Sequence, residues 1–296
     1  MTDHPDAARR SRDGSADPVH VPAEASSRFV EVAGLRLHLL DYGTAGRRPM
    51  LCLHGGAANA HWYDFVAGAL VGDHHVVSLD MRGHGESDWA VPPDYAYARF
   101  ADDVEAVAEL LDLRDFVLIG HSMGGMVALT YAARRPQRLG RLVVVDSTMR
   151  MTEERVSGLQ QIGARPGRRT ETLDGFVERY RLRPPGSGTP PEILRRMAEH
   201  SARHYEDGWG HQFDRNVYSM RGTADAFPLW ARLEVPVLLV KGAQSDRITV
   251  PVESEIRASC AHVEVAEVAP SGHHVTLDNP EGFVRAVTPF LRAESR

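Results

Sequence analysis

The sequence predicts an α/β protein with a mostly parallel, eight-stranded sheet, helices on both faces and a helical cap inserted between the sixth and seventh strands. Short runs rich in Val and Leu alternate with segments of helical periodicity, which is typical of a parallel sheet buried on both faces. The alternation stops between residues 148 and 233, where helical patterns and proline-rich turns occur without a clear strand. Ligand sites of such sheets lie beyond the carboxyl ends of the strands, so functional residues are expected directly after the strand runs.

Eight apolar runs are predicted to be strands, and the first two form a hairpin that turns near Gly34. In chain order the strands are Arg28–Val32, Leu35–Tyr42, Met50–Leu53, His75–Leu79, Phe116–Ile119, Leu142–Val145, Val237–Val240 and Val263–Val268. Apolar residues at a spacing of three or four predict helices between several of them. These helices are Trp62–Leu70, Phe100–Leu111, Met126–Arg134 and about Pro280 to Leu291.

The chain divides into a tail, a core and a cap. Residues 1–27 are polar and lack the apolar stretch of a secretory signal, so they are predicted to be a flexible tail. Residues 28–147 and 234–296 are predicted to form the α/β core, and residues 148–233 the cap. The cap holds 14 Arg against 11 Asp and Glu, which we interpret as a solvated face rather than an anion site.

Aromatic residues are the candidates for the wall of a substrate pocket under the cap. Those with the best placement are Trp62, Trp209, Phe213 and Tyr218. The sequence alone does not separate pocket residues from the core of the cap.

Composition excludes several classes of function. A net charge of −6 and a pI of about 6.2 argue against a nucleic-acid-binding domain, which would be basic. No stretch approaches the ~18 consecutive apolar residues of a membrane span, so no membrane association is expected. Cys52 lies in an apolar strand and Cys260 lies far from it in sequence, which favours two free thiols and a cytoplasmic location.

The most informative motif is Gly120-His121-Ser122-Met123-Gly124-Gly125, between a buried strand and a helix. A G-x-S-x-G sequence in that context predicts a sharp turn that exposes the Ser122 hydroxyl, while Gly120 and Gly124 allow the backbones to approach closely. The turn also directs the first amides of the new helix toward the group that the hydroxyl attacks. Ser122 is therefore the candidate nucleophile.

A serine nucleophile needs an anion site for the reacting carbonyl oxygen. His54-Gly55-Gly56 follows the third strand, and the backbone amides of Gly56 and Met123 are the candidate oxyanion hole. His54 is expected to orient this loop through its ring nitrogens. The turn Asp80–Ser87, rich in Gly, Asp and Arg, is expected to be structural.

The candidate base is His273, which directly follows Gly272 after the last strand. Two acids could orient its imidazole, Asp146 after the sixth strand and Asp246 after the seventh. We predict Asp246, because it lies in a loop that begins with a glycine turn and keeps the order Ser, Asp, His. Asp146 is expected to be a turn or hinge residue of the cap.

Together these motifs resemble the α/β-hydrolase fold superfamily, from about Arg28 to Leu291. The resemblance rests on the loops at residues 53–56, 80–87, 120–125, 242–246 and 272–280. It implies a Ser122–Asp246–His273 triad, an oxyanion hole at Gly56 and Met123, and a cap between the sixth and seventh strands. No metal or organic cofactor is implied.

The function expected from these residues is hydrolysis of a small carboxylic ester or lactone through an acyl-enzyme. Ser122 argues against the epoxide hydrolases and dehalogenases of this fold, which use aspartate, and Ala57-Ala58 departs from the Pro-Gly of proline iminopeptidases. The remaining alternatives are a thioesterase, a cofactor-free haloperoxidase and a carbon–carbon bond hydrolase whose cap arginines hold a carboxylate. A non-catalytic receptor on the same fold is a further alternative. The sequence does not predict the acyl group, the alcohol or the oligomeric state.

Overall fold

The computed structural model describes residues 21–134, 136–186 and 188–293. Most of the predicted tail, residues 1–20, lies outside the described residues, and the first strand begins at Ser26. The strands are β1 (Ser26–Val32), β2 (Leu35–Asp41), β3 (Arg48–Leu53), β4 (His74–Leu79), β5 (Phe116–His121), β6 (Leu139–Val145), β7 (Arg150–Met151), β8 (Ala202–Tyr205), β9 (Gly208–His211), β10 (Ala224–Asp225), β11 (Val237–Gly242) and β12 (Val263–Val268).

The helices follow the predicted positions and add several in the cap and after β11. They are α1 (Asp64–Leu70), α2 (Tyr97–Leu110), α3 (Met123–Ala132), α4 (Glu153–Ala164), α5 (Leu173–Arg179), α6 (Pro191–His200), α7 (Asn216–Ser219), α8 (Phe227–Trp230), α9 (Val250–Ser259), α10 (Val275–Asp278) and α11 (Pro280–Arg292), with a short 3₁₀ helix at Ala60–Tyr63.

The eight predicted strands form one sheet in the order β1-β2-β4-β3-β5-β6-β11-β12. The pairings β1 with β2 and β2 with β4 are antiparallel, and the other five are parallel. The predicted fold class, a mostly parallel eight-stranded sheet, is confirmed.

Side chains of the central strands alternate between two apolar layers. In β3, Leu51 and Leu53 pack into the layer that holds α2 and α3, whereas Met50 and Cys52 pack into the layer that holds α1 and α11. Burial of both faces explains why these strands are continuous apolar runs. The central strands are therefore packed on both faces, and the loops at the carboxyl edge start from buried strand ends.

The segment between β6 and β11 is mainly helical, but it also contains two short antiparallel ladders, β7 with β10 and β8 with β9. The prediction that this segment has no strand is therefore wrong. The β8–β9 hairpin turns through Glu206-Asp207, and Gly208 follows at a φ of +118°. Glycine adopts this positive φ at the first residue of β9 without the strain that a side chain would cause.

Candidate active site

Ser122 joins β5 to α3 on a strained turn, with φ 53° and ψ −113°. A Cβ at Gly120 would overlap the carbonyl of Gly124, and a Cβ at Gly124 would lie 2.5 Å from the carbonyl oxygen of Leu53. Both glycines are thus required by the close approach of strand and helix, as the motif predicts. Positive φ in a non-glycine residue is costly, and such strain is concentrated at functional sites.

Neighbouring groups hold the turn in place. The Ser122 amide donates to the carbonyl of Val145 at 2.9 Å, and the Ser147 hydroxyl donates to the Ser122 carbonyl at 2.6 Å. The end of β6 therefore fixes the backbone of Ser122 from two sides.

His273 lies beside the Ser122 hydroxyl. Its Nε2 is 3.0 Å from Ser122 Oγ, and its Nδ1 is 2.7 Å from Asp146 Oδ2. The buried His121 donates from its Nε2 to the His273 carbonyl at 2.8 Å, which fixes the backbone of the base. Serine, histidine and aspartate are thus connected in a continuous hydrogen-bonded line.

The choice of Asp246 as the partner of His273 is wrong. The Asp246 side chain is 76% exposed and lies 3.4 Å from the Arg247 Nε, whereas Asp146 is fully buried against His273. Asp146 also accepts from the Gly242 amide at 3.1 Å and from the Ser245 hydroxyl at 2.6 Å. The loop after β11 therefore serves the site by donating to Asp146, not by supplying the carboxylate.

Burial shifts the pKa values of both partners toward their neutral forms. It lowers the pKa of the His273 imidazole, and the nearby His274 and Arg247 lower it further. It raises the pKa of Asp146 to about 6, against the opposing hydrogen bonds from Ser245 and Gly242. At pH 7 the imidazole is therefore neutral and able to accept a proton, and the carboxylate is mostly ionised.

Gly56 and Met123, whose amides are the predicted oxyanion hole, lie at the cavity beside Ser122. Both residues line the cavity that contains Ser122 and His273. Neither amide donates to a protein acceptor within the described part of the chain. These amides are available to an oxygen atom of a ligand, as an oxyanion hole requires.

His54 makes the ring hydrogen bonds expected of a residue that orients its loop, and the turn at residues 80–87 is held by hydrogen bonds within the protein. His54 Nδ1 donates to the Gly55 carbonyl at 2.7 Å, and its Nε2 accepts from the Met81 amide at 3.1 Å. In the turn at residues 80–87, Asp80 accepts from the Ala60 amide at 2.6 Å, among other donors. The His54 ring thus ties the loop of the anion site to the turn after β4.

A cavity of about 360 Å³ lies above Ser122, between the core and the cap. Its wall is mostly apolar with several arginines, and the volume suits a small organic ligand. Besides the residues already named, it is lined by Tyr97, Met126, Thr148, Met151, Arg155, Gly158, Leu159, Ile162, Arg183, Pro184, Pro185, Tyr218, Arg221 and Arg247.

Of the four predicted pocket residues, Tyr218 lines this cavity, and its ring packs against Gly56. Trp62 is instead buried in the core, stacked on His121 with ring centroids 4.8 Å apart. Phe213 lines a separate cavity, and Trp209 packs on His204 in the β8–β9 hairpin. The three pocket assignments other than Tyr218 are wrong, because Trp62 packs in the core and the fold of the cap places Phe213 and Trp209 outside this cavity.

Four arginines that the sequence left unassigned lie in the cavity wall: Arg155, Arg183, Arg221 and Arg247. The signal that could have found them was the arginine excess of the cap, which contains the first three. No aspartate or glutamate belongs to the set of described lining residues. The cavity wall is therefore electropositive.

The comparisons agree with this architecture. Residues 48–280 match the family model described as alpha/beta hydrolase fold. The chain belongs to the alpha/beta hydrolase family. It is 29% identical over 263 residues to an esterase of Mycobacterium tuberculosis, covering 85% of each chain. It is 25% identical over 274 residues to the 2-(acetamidomethylene)succinate hydrolase of Mesorhizobium japonicum, covering 90% of this chain and 95% of that one.

Among solved structures, a crystal structure of an E-2-(acetamidomethylene)succinate hydrolase superposes with a TM-score of 0.80. Identity there is 23%, over 91% of this chain and 100% of the other, so this likeness supports the fold alone. Among the described residues, no helix is both long and apolar enough to cross a membrane.

Proposed function

We propose that this alpha/beta hydrolase cleaves small carboxylic esters through an acyl-enzyme on Ser122. The observation that carries the proposal is the line from Ser122 Oγ through His273 to Asp146, with distances of 3.0 and 2.7 Å, at the floor of a cavity. This line couples a nucleophile to a neutral base and an orienting carboxylate. The esterase among its relatives supports the same chemistry.

The reaction has two halves. Ser122 Oγ attacks the ester carbonyl carbon while His273 Nε2 takes the hydroxyl proton, and the amides of Gly56 and Met123 hold the oxyanion. The tetrahedral intermediate collapses, and the alcohol leaves with the proton from His273. Water then attacks the acyl-enzyme with His273 as base, which releases the carboxylic acid and restores Ser122. Asp146 holds Nδ1–H and stabilises the imidazolium in both halves.

Covalent labelling tests this proposal directly. A fluorophosphonate probe is expected to form one adduct, on the peptide that contains Ser122, with loss of fluoride, because the Ser122 hydroxyl lies 3.0 Å from the base His273. Mass spectrometry of the labelled protein locates the adduct, and turnover of 4-nitrophenyl butyrate measures hydrolysis. Denatured protein is the control and should remain unlabelled. Two results would contradict an ester hydrolase. One is an adduct on another residue, and the other is a lack of ester turnover by the unlabelled protein although the probe reacts with Ser122.

A second candidate is hydrolysis of a carbon–carbon bond in a vinylogous diketone by the same residues. The electropositive cavity wall favours it, since a ring-cleavage product would present a carboxylate to the arginines. Faster turnover of a ring-cleavage dienone than of any 4-nitrophenyl ester would decide for this candidate.

The pH profile tests the role of Asp146. Activity should fall as the pH drops through about 6, because the carboxylate is protonated there and no longer stabilises the imidazolium. The Ser245 hydroxyl donates to Asp146 and lowers its pKa. Ser245→Ala should therefore shift the acid limb of kcat/KM upward by about one pH unit.

Ser254→Ala is the matched control, since its hydroxyl donates only to the Val250 carbonyl on the exposed face of α9. Its pH profile should equal that of the unmodified protein. An acid limb that stays in place or moves to lower pH in Ser245→Ala would exclude Asp146 as the group that titrates.

A further inference from the structure

Arg221 is a buried cation without a counter-ion. The residue is 4% exposed, and no carboxylate oxygen of the described residues lies within the 4.0 Å salt-bridge distance of its guanidinium. Its Nη2 lies 2.9 Å from the Met123 sulfur, a weak acceptor, and its Nη1 has no hydrogen-bond partner among the described residues. Burying an arginine in this state is costly, because guanidinium stays charged at any ordinary pH.

Arg82 and Arg141 are also buried, but each of them donates to an oxygen atom. Arg82 makes a two-point ion pair with Asp103, with both distances 2.6 Å. Arg141 is 2% exposed and donates to the carbonyl of Ala293. Arg221 has neither kind of oxygen partner among the described residues; besides the Met123 sulfur it contacts the Tyr97 ring, 4.8 Å from the centroid. These contacts explain where the guanidinium lies, but none of them compensates its positive charge.

Arg221 lies in the same cavity as the proposed nucleophile. It lines the cavity that contains Ser122, and it contacts the side chain of Met123, which lines the same cavity. Arg155, Arg183 and Arg247 add positive charge to the same wall. A ligand anion placed beside Arg221 would therefore lie near Met123, in the cavity that contains Ser122.

We propose that Arg221 binds a carboxylate of the substrate, so that the compound cleaved at Ser122 is an anionic acyl compound. The inference rests on the hydrolytic function proposed above and applies to an ester or a carbon–carbon substrate alike. Arg221 brings to the cavity wall a guanidinium with no oxygen acceptor among the described residues, and a carboxylate would supply both an acceptor and the counter-charge. A phosphate dianion would need further buried donors, and the other three arginines lie nearer to solvent.

Matched ester pairs test the substrate class. One pair is 4-nitrophenyl hexanoate and the 4-nitrophenyl monoester of adipic acid, with the carboxylate on the acyl side. The other is phenyl acetate and 4-acetoxybenzoate, with the carboxylate on the leaving group. In one of the pairs the anionic ester should have the higher kcat/KM, by about tenfold or more, mainly through a lower KM. Preference for the neutral ester in both pairs would overturn the proposal.

Substitution then assigns the preference to Arg221. Arg221→Met should lower kcat/KM for the preferred anionic ester by about 10- to 100-fold, with less than about a threefold change for its neutral partner. Arg221→Lys should restore part of the loss, because it keeps the charge without the planar fork. An equal loss on both esters would show a structural role and refute the inference.

Arg141→Met is the matched control. Arg141 is also buried, also has a nitrogen without a hydrogen-bond partner and also lies on an aromatic ring, that of Phe290, but it is remote from the cavity. Its charge preference should match that of the unmodified protein. Loss of the preference in this variant as well would attribute the effect to general destabilisation.

Equilibrium binding separates this inference from the hydrolytic function. Titration calorimetry with adipate should show saturable binding to the unmodified protein, weaker binding of inorganic phosphate, and at least about tenfold weaker adipate binding to Arg221→Met. Binding of adipate by a protein that hydrolyses no ester would uphold the anion site and refute the proposed function. Ester hydrolysis without adipate binding, or tighter binding of phosphate, would refute the carboxylate site and leave the hydrolase in place.

Discussion

Asp146→Asn is expected to lower kcat for 4-nitrophenyl butyrate by about 10⁴-fold. In place of Oδ1 the asparagine carbonyl can still accept from the Gly242 amide, and in place of Oδ2 its NH₂ group can donate to the Ser245 oxygen, so the loop after β11 should stay in place. The neutral amide of the asparagine cannot stabilise the imidazolium. If its NH₂ group donates to His273 Nδ1, the ring is held in the tautomer in which Nε2 carries the proton. In that tautomer His273 cannot accept the proton of Ser122. Steady-state kinetics above pH 7 measure the loss.

Asp246→Asn is the matched control, because it makes the same chemical change one strand away. The Asp246 carboxylate is mostly exposed and pairs at 3.4 Å with Arg247, so kcat should change by less than about threefold. Melting temperatures of both variants show whether either one loses its fold. If Asp246→Asn lost more activity than Asp146→Asn while both stayed folded, the line from Ser122 through His273 to Asp146 would not be the catalytic one.

The two acids show where inference from the sequence stops. β6 and β11 are neighbours in the sheet, so Asp146 and Asp246 both follow adjacent strands at the same edge, and both keep the chain order Ser, Asp, His. What separates them is the backbone after each strand. Asp146 has a φ of +43° and turns inward, while the loop after Gly242 leaves Asp246 at the surface. A positive φ at an aspartate is not visible in a strand pattern.

The sheet itself was predictable because its signals are local. Runs such as Val143–Val145 are apolar on both faces, and burial on both faces follows from that pattern. Ser122 and His273 were predictable for a related reason. Ser122 directly follows β5, and His273 directly follows Gly272. These two residues can form a hydrogen bond because β5 and β12, the strands that precede them, end at the same edge of the sheet.

The cavity wall was not predictable because it depends on how the cap docks. Trp62 and Tyr218 look equivalent as aromatic candidates, yet one stacks on His121 in the core and the other packs against Gly56. The arginine excess of the cap suggested a solvated face, which suits exposed residues such as Arg155. It did not show that Arg221 is buried without an anionic partner, because the charge balance of a segment does not report the burial of any one residue.

Ser122→Ala is expected to lower turnover of 4-nitrophenyl butyrate by at least about 10⁴-fold and to abolish labelling by a fluorophosphonate. The change removes one oxygen atom and leaves the Cβ, so the turn between β5 and α3 should persist through its hydrogen bonds to Val145 and Ser147. The amides of Gly56 and Met123 remain, so a small residual rate of water attack at a bound ester is expected rather than none.

Ser201→Ala is the control for loss of a buried serine hydroxyl, since Ser201 is 4% exposed and bonded to Asn59 within the cap interface. It should keep most of the activity. Ser122→Ala should also bind adipate as tightly as the unmodified protein does, because the carboxylate site at Arg221 does not involve the hydroxyl. A Ser122→Ala variant that turns over the ester at the normal rate would show that the nucleophile lies elsewhere. Loss of both turnover and adipate binding, with the melting temperature unchanged, would show that the serine and arginine sites are coupled rather than separate.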